Sequence, residues 1–182
     1  MKTALILIDI QNDYFEGGNM ELVNPERAAD HAKLILESFR HNGLPIIHIQ
    51  HIATSPTATF FLPDTPGADI HDKVLPLPTE KTIVKHFPNS FRDTELLHHL
   101  KINKIESLVI CGMMTHMCID ATTRAAKDYG FNCLLIGDAC ATRDLEINNE
   151  TVNAKDVQNS FLAALNSFYA TVTTTEFYLR KY

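Results

Sequence analysis

The sequence predicts a three-layer α/β/α sandwich with a mostly parallel, Rossmann-like central sheet. Two observations carry this. Short runs of β-formers alternate with segments whose apolar residues recur at helical spacing, the order expected when helices cross over between parallel strands. The first of those runs, "TALILI" (3–8), is apolar without interruption, as a strand buried on both faces should be. The chain has 182 residues, 45% apolar and 21% charged, and reads as one domain over 1–182, long enough to bury a core without cross-links.

The elements follow in order. Asn24-Pro25 reads as an N-cap with proline at the first helical position, and Ala28, Ala32, Ile35, Leu36 and Phe39 share one face of the helix that Asn42-Gly43 ends. "LPIIHIQ" (44–50) is a second strand. Residues 52–80 are proline-rich and aperiodic, and a loop of that length inside a compact domain is usually functional. "KTIVK" (81–85) is a third strand; Leu96, Leu97 and Leu100 mark a helix; "ESLVICG" (106–112) is a fourth strand, broken by Gly112. Ile119 to Tyr129 reads as an amphipathic helix with Cys118 in its first turn, and "NCLLIGDAC" (132–140) as a fifth strand. After a polar insert, Val157, Phe161, Ala164, Leu165 and Phe168 share a helical face, and "ATVTTTEF" (170–177) supplies a sixth strand and closing tail.

Composition excludes several classes of function. A formal net charge of −6, with no block of Lys or Arg, argues against nucleic acid as a partner. Asp9 and Asp13 interrupt the N-terminal apolar run, so a signal peptide is not expected. No stretch approaches the roughly 20 apolar residues of a membrane span, which predicts a cytoplasmic protein with no membrane partner. Cys111, Cys118, Cys133 and Cys140 form no C-x-x-C pair and are expected as free thiols in a reducing compartment.

In an open parallel sheet, ligands bind beyond the carboxyl ends of the strands. There the first strand delivers Asp9, the third Lys85, and the fourth leads through Gly112 to Cys118. Singly, each has a plain structural use: Asp9 as a turn cap, Lys85 as a solvated lysine, Cys118 as a small buried hydrophobe. Together at one sheet edge they read as a site. The helix N-terminus at Cys118 is expected to favour a thiolate.

"ILIDIQNDYF", "IVKHFPNSF", "CGMMTHMCIDATTRAA" and "GDACAT", in this order and spacing, resemble the isochorismatase-like cysteine hydrolases, and the similarity covers nearly the whole chain. The resemblance implies a catalytic triad of Asp9, Lys85 and Cys118. It also implies a cis peptide joining Met113 to Met114, which would aim the Met114 and Cys118 amides at one point as an oxyanion hole. Members that cleave isochorismate characteristically lack the cysteine, so Cys118 implies amidase-like chemistry on a small-molecule substrate, through a thioester. The alternatives are an isochorismatase-type hydrolase with another small substrate, or a redox-responsive protein using Cys118 as a reactive thiol. The resemblance also implies a homo-oligomer. Gln11, Phe15, Asn89, Ser90 and Phe91 are candidates for contacting substrate, with Phe60, Phe61 and Phe87 as further aromatic walls. His48 and His51, with Asp69 or His71, do not have a recognised metal-ligand spacing. Neither a metal nor another cofactor is expected.

Overall fold

The computed structural model describes residues 2–181. Six strands, β1 (Thr3–Ile8), β2 (Ile46–His51), β3 (Lys81–Lys85), β4 (Ser107–Met113), β5 (Asn132–Ala141) and β8 (Thr171–Thr173), form one sheet in the order β3-β2-β1-β4-β5-β8. Every pairing in it is parallel. The chain winds outward from β1 through β2 to β3, then restarts on the other side at β4. The winding therefore reverses between β1 and β4, and the crevice at such a switch point is where ligands lodge.

The period-2 geometry of strands sorts the sheet's residues between two cores. Leu5, Leu7, Val109 and Cys111 face a layer made by α1 (Pro25–His41) and α5 (Thr175–Lys181). Ala4, Ile6, Ile8, Leu108 and Ile110 face the opposite layer of α2 (Leu96–Ile102), α3 (Asp120–Asp128) and α4 (Ala154–Phe168). Both faces being covered explains why β1 and β4 are apolar throughout rather than alternating; each large side chain so buried is worth about 1.5–3 kcal/mol. The predicted three-layer class is the observed one.

Local detail departs from expectation in several places. Asn24 does hold the N-cap position of α1, but at φ 54° its side chain makes no capping hydrogen bond. The predicted face of α1 is fully buried, whereas in α4 only Val157 and Leu165 of the five predicted residues are; Ala164 and Phe168 face solvent. β8 stops at Thr173, and the rest of the predicted sixth strand turns into α5, whose first amide (Thr175) donates to Asp138 at 2.8 Å. The polar insert contains a hairpin, β6 (Leu145–Ile147) with β7 (Glu150–Val152). Asn148 and Asn149 both take positive φ at its turn, as a two-residue hairpin loop requires.

Gly112 does not break β4; the strand continues to Met113. Its role is close approach. At φ 132° any Cβ would be driven into the backbone carbonyl of Ile8 on β1. Gly112→Ala is expected to destabilise the protein by on the order of 3 kcal/mol, combining backbone strain with overpacking. For a chain of this size that lowers the midpoint of thermal unfolding by roughly 6–12 °C; an unchanged midpoint would refute the close-approach account.

Candidate active site

Asp9 is the first residue past β1. Its amide donates to Ile49 O on β2 (3.1 Å) and its backbone takes the left-handed conformation (φ 50°), which a short polar side chain tolerates better than most. This kink turns the carboxylate out of the strand's alternation and into the crevice. Lys85, the last residue of β3, lies in register with His51 at the end of β2. Lys85 Nζ meets Asp9 Oδ2 at 2.7 Å, and both side chains are completely buried. The ammonium also donates to the carbonyls of Phe87 (3.1 Å) and Pro88 (3.3 Å) and lies 3.3 Å from His51 Nδ1.

Met113 and Met114 are joined by a cis peptide, as the resemblance implied. The chain then makes a single π-helical turn, Thr115–Ile119, closed by the Ile119 amide on Met114 O (3.2 Å). Cys118 sits in this turn, two residues before α3 begins, and not in the first turn of α3. One carboxylate oxygen of Asp9, one ring nitrogen of His51 and the Cys118 sulfur all lie within 4.8 Å of one another. Three residues spanning more than a hundred positions in sequence thus meet at the switch point.

The electrostatics correct the expected resting thiolate. Burial pushes the Cys118 thiol far above the usual cysteine range, and the Asp9 carboxylate adds to that, against the opposing pull of Lys85. Cys118 rests as a neutral thiol. Burial would lower the Lys85 ammonium, but Asp9 and Cys118 outweigh it and hold it above the ordinary lysine value. His51 is brought down to about 4, mainly by burial, so its ring is neutral at neutral pH.

The predicted substrate contacts fare differently from the triad. Gln11 is fully buried and spent on backbone: its Nε2 donates to His51 O (2.9 Å) and Ala68 O (2.7 Å), and its Oε1 accepts from the His51 amide (2.7 Å). It brackets the long loop. Ser90 is engaged with Thr122 Oγ1 through both its amide (3.0 Å) and its hydroxyl (2.8 Å), tying the Lys85 loop to α3. Asn89 Oδ1 accepts the Phe91 amide (2.9 Å), and the Phe91 ring packs on Tyr129 and Phe131 at the far end of α3 from Cys118. Phe15 is stacked on His71 at 3.7 Å. Phe87 lies under the Arg92 guanidinium.

Tyr14 stands with two of the expected aromatics, Phe60 and Phe61, beside the site. The buried phenol of Tyr14 is held neutral, first by burial and then by Cys118 and Asp9 nearby. Its ring meets Phe61 edge-on at 4.7 Å, and Phe61 continues to Phe60 and to the His51 ring. Phe61 is anchored by its amide, which donates to the buried Asp13 carboxylate at 2.6 Å. Behind the π turn that carries Cys118, the Thr115 hydroxyl donates to Gln158 Oε1 (2.6 Å), while Gln158 Nε2 donates to Gly137 O and Cys140 O. Nothing in the sequence pattern marks Tyr14 or Gln158. His51 was within reach of the strand-end rule, being the last residue of β2.

Two of the histidines weighed as metal ligands are engaged with carboxylates. His48 Nε2 bonds Glu80 Oε2 (2.9 Å), and His71 pairs with Asp72. Glu80 also accepts from Arg40 Nε (2.7 Å), Arg40 Nη2 (2.8 Å) and the Leu77 amide (2.8 Å). Burial acts to raise the Glu80 carboxyl, but these donors outweigh it and bring it to about 2. Since that folded value lies below the ordinary carboxylate value of about 4.3, the stabilisation is present above that value and lost as pH falls through 2. Glu80→Gln is expected to cost about 1–3 kcal/mol at pH 7. The gap from wild type should shrink between pH 4 and pH 2 in urea melts, and a constant gap would count against the assignment.

A parallel α/β sheet with a carboxylate, an ammonium and a thiol buried together at its switch point defines the class of protein. Residues 3–177 match the family model described as the Isochorismatase domain, and the chain belongs to this family of hydrolases. It is 52% identical over 180 residues to the isochorismatase family protein YddQ of Bacillus subtilis (strain 168), covering 99% of this chain and 100% of that one. The crystal structure of a hydrolase assigned to the isochorismatases, from Oleispira antarctica, superposes with a TM-score of 0.95 at 47% identity, over 98% of this chain and 96% of that one. A streptothricin hydrolase of Streptomyces noursei is 30% identical over 164 residues, 90% of this chain and 56% of its own length. Among the described residues, no helix is long and apolar enough to cross a membrane.

Proposed function

We propose that the chain hydrolyses a non-peptide C–N bond of a small molecule, a carboxamide or ureido group, through a thioester on Cys118. The observation that carries this reading is the buried Lys85–Asp9 contact at 2.7 Å with the Cys118 sulfur beside it. A thiol kept neutral by burial needs a base at contact distance, and Asp9 is that base. As the sulfur attacks the carbonyl carbon, its proton passes to Asp9. The new oxyanion is held by the amides of Met114, just before the π turn, and Cys118, within it. The C–N bond breaks as Asp9 returns the proton to the leaving nitrogen. Asp9 then takes a proton from water, whose oxygen attacks the thioester, and the thiol re-forms.

Lys85 pairs with the Asp9 carboxylate in a dry site and offsets the negative charge that builds on sulfur and oxygen. The aromatic wall of Tyr14, Phe60 and Phe61 excludes water from that exchange and suits a compact substrate with an apolar body. The relative named for hydrolysis of streptothricin supports a hydrolytic role. The test is an ammonia-release screen over small amides, ureido and carbamoyl compounds, with Cys118→Ala protein as blank. Release above the blank from at least one class supports the proposal, and none from any class defeats it.

A further inference from the structure

The proposed hydrolysis gives tasks to Asp9, Lys85, Cys118 and two backbone amides, but none to the Tyr14 hydroxyl. Tyr14 is 1% exposed, and among the described residues no group hydrogen-bonds its phenol oxygen. A hydroxyl buried without a partner is costly, and a phenylalanine would fill nearly the same space without that cost. Buried tyrosines ordinarily find a partner for the oxygen. We propose that the Tyr14 hydroxyl determines specificity by donating to an uncharged acceptor on the body of the substrate, an ether or carbonyl oxygen or a ring nitrogen. The inference rests on the proposed hydrolysis and narrows its substrates to small amides that carry such an acceptor.

The ring is held from several sides. Tyr14 closes the single 3₁₀ turn Asn12–Tyr14 that follows β1, and its amide donates to Gln11 O (3.1 Å). Its carbonyl accepts the Leu22 amide (3.0 Å). The ring packs edge-on against Phe61 at 4.7 Å and reaches Phe60 at 6.0 Å. Phe61 in turn is anchored on the Asp13 carboxylate, which Asn19 also engages through its amide and Nδ2 (both 3.1 Å). The hydroxyl is therefore carried on a preorganised support, and little ordering is needed when a partner arrives.

In the proposed reaction the Met114 and Cys118 amides serve the oxyanion and Asp9 serves the leaving nitrogen. The phenol, set in the aromatic wall, is left to meet the part of the substrate beyond the scissile bond. Burial, then Cys118 and Asp9, hold it neutral against a weaker opposing pull from Arg143, so it is a donor at neutral pH. An anionic partner would add charge near Asp9 and near the sulfur as it turns negative, whereas a neutral acceptor adds none. A site that keeps a polar group for its substrate rejects the analogue without the matching group, because its own group is then left unpaired.

The test compares ring amides of matched shape: cyclopentanecarboxamide, tetrahydrofuran-2-carboxamide and tetrahydrofuran-3-carboxamide. Their dissociation constants are measured by NMR titration of full-length Cys118→Ala protein, which needs no turnover, and again with Tyr14→Phe added. At least one oxygen-bearing ring should bind Cys118→Ala about fivefold more tightly than the hydrocarbon ring. Adding Tyr14→Phe should erase that preference through weaker binding of the oxygen-bearing ring. Loss of a hydroxyl that no protein group holds should leave the thermal midpoint of Tyr14→Phe within about 2 °C of wild type. Equal or absent binding of all the amides, a preference kept by Tyr14→Phe, or a Tyr14→Phe protein that melts clearly lower or does not fold would each overturn the proposal. Hydrolysis of small amides by wild type, with no such preference in binding, would remove this contact and leave the hydrolase reading standing. The preference without hydrolysis of any amide would keep Tyr14 as a ligand contact and defeat that reading.

Discussion

Cys118→Ala is expected to lose hydrolysis to the level of the blank, a fall on the order of 10⁴-fold or more in kcat/KM. The loss should be chemical and not structural. Cys118 is buried in a turn whose hydrogen bonds are made by backbone and by Thr115, so removing one sulfur atom leaves those bonds in place. Its thermal midpoint should therefore stay within a few degrees of wild type. Asp9→Asn should fall by a comparable factor, because an amide cannot accept the thiol proton. The neutral resting thiol adds a signature: iodoacetamide should label wild-type Cys118 more slowly at pH 7 than an ordinary free cysteine, and faster as pH rises. Retention of near-wild-type turnover by the alanine protein would mean that no thioester forms.

Lys85→Met is expected to destabilise the protein by about 3–5 kcal/mol and to abolish activity, since it leaves the Asp9 carboxylate buried without its counter-charge. Pairing it with Asp9→Asn should recover much of that stability and none of the activity. That combination separates the electrostatic account from a packing defect, because the double variant keeps the methionine but removes the orphaned charge. The pH dependence has a definite sign. The Lys85 ammonium is held above its ordinary value, so the pair's stabilisation is fully present below that value, about 10.4, and is lost as pH rises through the higher folded one. Urea melts of wild type and Lys85→Met should therefore converge on the alkaline side. Equal stability of the two at neutral pH would show that the contact contributes nothing.

How much of the molecule was legible in the sequence depended on how local the signal was. β3 falls over 81–85 as read, and all five residues assigned to the core face of α1 are buried, because strand and helix periods are printed directly in the spacing of apolar residues. The ends of the chain were harder. Thr174 to Phe177 look like a β-run, but the Asp138 carboxylate from a bulged stretch of β5 caps them into a helix. The gathering of Asp9, Lys85 and Cys118 was legible from the strand-end rule together with ordered motifs. Substrate-facing residues were not: Gln11 and Ser90 have the chemistry of contacts, yet their partners are a strand end and a helix 40 and 32 positions away.

By itself, then, the order of apolar and amphipathic segments determined a parallel sheet between two helical layers, and with it the edge at which Asp9, Lys85 and Cys118 gather. Tertiary structure alone decided the protonation of Cys118, the placing of His51 beside it, and the replacement of Phe15 by Tyr14 at the site. The reason is range. Periodicity acts between neighbours along the chain, whereas desolvation and hydrogen-bond satisfaction are set by whatever distant segment arrives to exclude water.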